Sequence, residues 1–152
     1  MKKFAVAAAL LSAAIASPVM ANEAGETRVE VRGGYITGSG YDDATIGVAG
    51  GYDYNLGKAF VGAEIAGDKV LASNEKVRFS AGGRIGANVV ENGKLFVAAG
   101  YTFADIDNPY VGAGYQHKLT SNVYAKGEYR HQFIGNKFAD FDTFTVGLGL
   151  AF

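Results

Sequence analysis

From Phe144 to the end of the chain, large apolar residues alternate with small ones without a break. Phe144, Val146, Leu148, Leu150 and Phe152 fall on one set of positions, and Thr145, Gly147, Gly149 and Ala151 on the other. A period of two is the geometry of a strand, whose successive side chains point to opposite faces; a helix would mix the two sets on one side. The pattern recurs upstream. Val29, Val31, Gly33 and Tyr35 alternate with Arg28, Glu30 and Arg32, and Ile46, Val48, Gly50, Tyr52 and Tyr54 with Thr45, Gly47, Ala49, Gly51 and Asp53. Val77, Phe79, Ala81, Gly83 and Ile85 are set against Arg78, Ser80, Gly82 and Arg84. Val123, Ala125, Gly127 and Tyr129 are set against Tyr124, Lys126, Glu128 and Arg130. Weaker runs over Ala59 to Ala66, Leu95 to Phe103 and Tyr110 to His117 bring the expected strands to eight.

Turn-rich segments separate these runs: Thr37 to Asp43, Asn55 to Lys58, Gly67 to Glu75, Asn88 to Lys94, Ala104 to Asn108, Lys118 to Asn122 and Gln132 to Asp142. Several carry the Asn-Gly, Asp-Asn or Gly-Ser chemistry of hairpins. The 22 glycines weigh against helix, where each costs ~1 kcal/mol relative to alanine. The expected fold is all-β, with antiparallel strands joined in sequence order.

The start of the chain sets the compartment. Lys2 and Lys3 precede an apolar run from Phe4 to Ala16, and Pro18 breaks it before Val19-Met20-Ala21, which has the small residues of a signal-peptidase site. That run is short of the ~20 residues a spanning helix needs. Residues 1–21 therefore read as a cleaved signal peptide, and 22–152 as a single mature domain. Cleavage takes two lysines and no acids from a chain with 14 basic and 15 acidic residues, leaving a formal charge of −3, too mild and mixed for nucleic acid. The absence of cysteine rules out a disulfide framework.

Eight strands of about 9 to 11 residues with one apolar face match a barrel that crosses a membrane, where closure pairs every backbone group. A soluble exported barrel would turn its apolar face inward and leave glycine and alanine for solvent. In a membrane barrel of this size the small residues turn inward, where there is little room.

The chain resembles the small OmpA-like and opacity-like outer-membrane barrels over the whole mature sequence. The stretch Asn122-Val-Tyr-Ala-Lys-Gly-Glu-Tyr-Arg130 is similar to the family's penultimate strand, and the run ending in Phe152 to its closing strand. The resemblance implies an eight-stranded up-and-down barrel in the outer membrane, contacting lipid and lipopolysaccharide. It also implies that periplasmic chaperones and the barrel-assembly machinery handle the chain, with Phe144, Val146, Leu148, Leu150 and Phe152 as the assembly signal. No residues remain for an added peptidoglycan-binding domain, and the longest loop, Gln132 to Asp142, is short for hypervariable host-binding loops.

An even strand number puts both termini on the periplasmic side, with turns at Asn55, Asn88 and Lys118 there and loops at Thr37, Gly67, Ala104 and Gln132 outside. Tyr35, Tyr52, Tyr54, Tyr101, Phe103, Tyr115, Tyr129 and Phe144 form the expected lipid-facing girdle. Inward-pointing charges are Arg28, Glu30, Arg32, Asp53, Glu64, Arg78, Arg84, Lys126, Glu128 and Arg130. Mixed signs at this density imply a salt-bridged plug, since buried ions must be paired or wet; the alternative is a narrow passive channel lined by arginine. A weak repeat relates Gly51-Tyr-Asp-Tyr-Asn-Leu56, Phe60 and Glu64 to Gly114-Tyr-Gln-His-Lys-Leu119, Tyr124 and Glu128. It places Phe60, Tyr124 and, from the middle hairpin, Phe96 inside near the periplasmic end.

No cofactor or metal site is expected. The outer loops hold Asp42, Asp43, Asp68, Asp105, Asp107, Asp140 and Asp142 near Lys69, Lys76 and Lys137. Such a rim could share divalent cations with lipopolysaccharide, although Asp is also a common turn residue. Barrel enzymes that modify lipid need a nucleophile, a base and an orienting acid. Only His117 and His131 could serve as base. His117 has Ser121 and Glu128 near it in sequence, and His131 has Asp140 and Asp142, with Ser39 and Ser73 on other hairpins. No convergent constellation results, and catalysis is not expected. The expected function is structural or interaction-based: envelope integrity and surface contacts, by a barrel that is most simply a monomer.

Overall fold

The computed structural model describes residues 25–38, 41–72, 76–103, 108–133 and 140–152. The expected signal peptide, Ser39, Ser73, Asp105, Asp107 and Lys137 lie outside them. Eight strands follow in chain order: β1 (Gly25–Gly38), β2 (Tyr41–Leu56), β3 (Ala59–Val70), β4 (Val77–Val90), β5 (Gly93–Phe103), β6 (Asn108–Lys118), β7 (Val123–Gln132) and β8 (Phe141–Ala151). Each pairs antiparallel with the next, and β1 pairs with β8 to close the barrel. At the seam, Thr27 N donates to Phe152 O at 2.8 Å and Phe152 N to Thr27 O at 3.0 Å. Closure removes the unpaired edge that a strand in hydrocarbon could not tolerate.

The strands run further than the sequence pattern implies. β2 covers 16 residues and β4 covers 14, because pairing continues through stretches expected to be turns. Gly38 faces Tyr41 in the register, Val70 faces Thr45, and Gly93 faces Val90 beyond a bulge between Asn88 and Val90. Loss of hydrophobic alternation at a strand end marks where the lipid-facing belt stops; the backbone ladder, which needs no particular side chain, goes on. The three connections at the end holding Gly25 and Phe152 are tight, over 57–58, 91–92 and 119–122. Gly57 supplies the positive φ, 79°, at the first.

The two faces separate by parity. Outward side chains are apolar and exposed, among them Ile46, Ile65, Phe79, Ile85, Val97, Val146 and Leu148. Inward, large aromatics are seated on glycines of the neighbouring strand. Phe60 of β3 lies opposite Gly86 of β4, Phe96 of β5 opposite Gly114 of β6, Tyr110 of β6 opposite Gly100 of β5, and Tyr124 of β7 opposite Gly149 of β8. A Cβ added at Gly114 would sit 2.4 Å from the Phe96 ring, and one at Gly149 2.5 Å from the Tyr124 ring. Gly86, Gly100, Gly114 and Gly149 are therefore sockets for rings, whereas Gly47, Gly51, Gly62 and Gly112 make room for Asp68, Arg28, Asp53 and Arg130.

Candidate functional site

The candidate site is the polar interior, and alternation builds it. Three consecutive inward positions of β1 give Arg28, Glu30 and Arg32, and three of β7 give Lys126, Glu128 and Arg130; all six are buried. From β3, Glu64 reaches the point where the two triplets meet. Its Oε2 lies 3.2 Å from Arg28 Nη1 and 3.1 Å from Lys126 Nζ, and its Oε1 2.8 Å from Arg130 Nη2 and 3.4 Å from Arg32 Nη1. Lys126 also binds Glu30 at 2.7 Å and Glu128 at 3.1 Å, and Arg130 Nε pairs with Glu128. Arg32 forks onto Asp68 at the loop end of β3, with its Nε 2.8 Å from Oδ1. The Tyr124 hydroxyl donates to Glu30 at 2.9 Å.

A second cluster lies toward the end that carries the termini. Asp53 of β2, fully buried, accepts from Arg84 Nε at 2.9 Å and pairs with Arg28 at 3.1 Å and Lys94 at 3.6 Å. The Arg84 guanidinium is flanked by the rings of Phe96 and Phe60, 4.8 and 5.2 Å from its centre, and donates to Gln116 Oε1 at 3.0 Å. Stacking holds the planar cation in register while its edge makes the hydrogen bonds. Glu26 closes the cluster, 2.9 Å from Lys94 and also paired with Lys118.

Of the ten inward charges expected from sequence, nine are buried in these two clusters, and Arg78 is half-buried nearer the loop end, opposite Asp68 in the register. Sequence reading missed Glu26, Lys94, Lys118 and Gln116 as inward groups and put Asp68 in an outer loop, whereas β3 continues to Val70 and Asp68 pairs with Arg32. Parity alone could have found Glu26, two residues before Arg28, and Lys94, two before Phe96. Gln116 was marked by the repeat, which aligns it with Asp53, and both side chains bind Arg84.

The histidines lie on the outer face. His117 accepts or donates a hydrogen bond with the Tyr115 hydroxyl at 3.1 Å and stacks on that ring, whereas Glu128 points into the barrel, so the sequence neighbours of His117 do not converge. His131 Nδ1 is 2.8 Å from Asp142, which also accepts from the Tyr129 hydroxyl at 2.6 Å, and its Nε2 is 3.4 Å from Asp140. Among the described residues no group of three or more His, Cys, Asp or Glu is arranged to hold a metal ion.

The sequence matches the family described as outer membrane protein beta-barrel domain over residues 6–152. The chain belongs to that family. No curated protein sequence matches it. Among solved structures it is similar to Ail, the attachment invasion locus protein of Yersinia pestis, with a TM-score of 0.66 at 14% identity, covering 85% of this chain and 99% of that one. Neisserial surface protein A gives 0.58 at 14% identity, covering 84% and 97%. The N-terminal barrel of Pseudomonas aeruginosa OprF gives 0.57 at 16%, covering 84% and 97%. Identities this low establish a shared fold.

As an outer-membrane barrel the protein turns its exposed apolar face to lipid. All eight residues of the expected girdle, from Tyr35 to Phe144, are exposed on that face, and Tyr129 packs on Phe144 with ring centroids 5.0 Å apart. Short turns belong to the periplasmic end of such barrels and longer loops to the outside. The Asp53 cluster thus lies on the periplasmic side of the interior and Asp68 near the external rim. Phe144, Val146, Leu148 and Leu150 of the closing run face outward.

Proposed function

We propose that this protein is a closed structural barrel that contributes to envelope integrity and surface contacts, its lumen plugged by the ion-pair network. The observation that carries the reading is Glu64, which collects four cations from two other strands across the interior. Eight strands leave room for little besides side chains, and here those side chains are bonded to one another from wall to wall. Paired in this way, the charges give up their mutual attraction if a path for ions opens, and that cost keeps the lumen shut. Cleavage after Ala21, recognition of the closing run through Phe152 by the assembly machinery, and action without catalysis belong to the same reading.

The test is heat-modifiability on a gel beside single-channel recording in a planar bilayer. The expected outcome is a faster-migrating unheated band with no conductance. Stable discrete current steps would overturn the plug and establish a small passive channel in its place.

Surface contacts are proposed to differ in charge from those of Ail, which has been crystallised with the heparin analogue sucrose octasulfate. At the outer end of this barrel, Asp42, Asp43, Asp140 and Asp142 stand against Lys69 and Lys76 among the described residues. A sulfated polyanion would meet this rim with like charge, a repulsion that fades beyond about 8 Å at physiological ionic strength. The protein is expected to flow through immobilised heparin at that ionic strength. Retention that competes with free sulfated sugar would refute the charge argument.

A further inference from the structure

The periplasmic mouth is a cleft of about 690 Å³, walled by the β2–β3 and β4–β5 turns and the ends of β5 and β6. Gln116, Lys94, Lys118 and Glu26 line it, with Glu91 on the β4–β5 turn. Its hydrogen bonding is unbalanced, with donors left over. Arg84, Lys94 and Lys118 point into this half of the interior, where Glu26 and Asp53 answer them from inside and Glu91 stands on the turn, while Arg28 bridges Asp53 to Glu64. Farther in, around Glu64, the cations Arg28, Arg32, Lys126 and Arg130 meet Glu30, Glu64, Asp68 and Glu128.

The repeat locates the imbalance at one side chain. Gln116 occupies on β6 the position that Asp53 holds on β2, and Arg84 lies between them. Where a second carboxylate would complete the guanidinium's pairing, the chain places an amide. The amide oxygen accepts from Arg84 Nη2, which leaves the amide nitrogen as a donor. Gln116 Nε2 and Arg84 Nη1 are both fully buried and have no acceptor among the described residues. Buried donors without acceptors are costly, and donors on a cationic floor are matched by an anionic acceptor.

We propose that this vestibule is a binding site for a small oxyanion from the periplasm, a carboxylate or a phosphate group, whose oxygen accepts from Gln116 Nε2 beneath the ammonium groups of Lys94 and Lys118. The ligand supplies the acceptor oxygen that the buried donors at Gln116 and Arg84 lack. The site needs no open pore, and it stands whether or not the lumen conducts.

The experiment uses protein isolated folded from outer membranes of nitrogen-15-labelled cells, with the Gln116 side-chain amide signal identified by its loss in Gln116→Leu. Sodium acetate and sodium phosphate are titrated separately at constant ionic strength against sodium chloride. The proposal expects a saturable shift of the Gln116 amide with acetate, phosphate or both, which separates the carboxylate from the phosphate source. Lys118→Gln should weaken that binding about threefold, the scale of one partly exposed charge. Gln116→Glu supplies the missing carboxylate in place: it should abolish the titration and raise the urea midpoint of the barrel. Shifts that match those of chloride, or that grow without saturating, would overturn the site, as would a Gln116→Glu barrel that unfolds earlier than the parent.

Discussion

Glu64→Leu is expected to destabilise the folded barrel by about 3–5 kcal/mol, the cost of removing one partner from a buried ion network. The carboxylate is 8% exposed and lies within 3.4 Å of Arg28, Arg32, Lys126 and Arg130. Leucine fills similar space but leaves four cations facing one another with Glu30, Glu128, Asp53 and Asp68 as their remaining partners. The chain has no tryptophan, so urea unfolding is best followed by gel mobility of the unheated protein or by circular dichroism. Two further variants separate charge from packing. Glu64→Gln should fall between wild type and leucine, because an amide oxygen still accepts hydrogen bonds from the guanidinium groups. Glu64→Leu combined with Arg130→Leu should recover part of the loss, since it removes a cation along with the anion. If the double variant is instead the sum of the two singles, the charges are independently hydrated and the plug is not a network. The same set bears on conductance: in a water-filled channel Glu64→Lys would shift ion selectivity with little change in stability, whereas in a plug it would unfold the barrel earlier.

Which charges point inward was legible because parity along a strand is a local property. Arg28, Glu30 and Arg32 alternate within one run, as do Lys126, Glu128 and Arg130, and no tertiary information is needed to put each triplet on one face. Partners were not legible. Glu64 is drawn to β1 and β7 because closure sets those walls around it, and closure is a property of the whole sheet. Glu26, Lys94 and Lys118 were overlooked, and Asp68 was assigned to a loop, for a different reason: they sit near strand ends, in stretches where outward hydrophobicity has stopped while backbone pairing continues. Gln116 carries no charge to attract notice, although the repeat that pairs it with Asp53 was visible. Glycine was read as a response to curvature and crowding, and its more specific use as a seat for an aromatic ring on the next strand required the register.

That use of glycine leads to the second large effect. Gly86→Val is expected to cost about 1–3 kcal/mol through overpacking. A Cβ at this position would meet the Leu95 carbonyl oxygen at 2.2 Å and the Phe60 ring at 2.8 Å. Phe60 cannot swing aside freely, because its ring also flanks the Arg84 guanidinium and lies 5.1 Å from the Lys94 ammonium. Displacing the ring therefore disturbs the Asp53 cluster as well as the wall. Phe60→Leu in the same chain should restore only part of the loss, since it relieves the ring contact and leaves the backbone carbonyl where it was. Gly127→Ala provides the comparison. It lies on the outward face of β7, where an added Cβ meets nothing within 4 Å, and its effect should stay within about 0.5 kcal/mol. Equal losses at Gly86 and Gly127 in a urea series would mean that glycine acts here through chain flexibility alone. A loss confined to Gly86, with partial recovery by Phe60→Leu, would establish the ring-and-socket contact as the unit that sets how tightly neighbouring strands close around the charged interior.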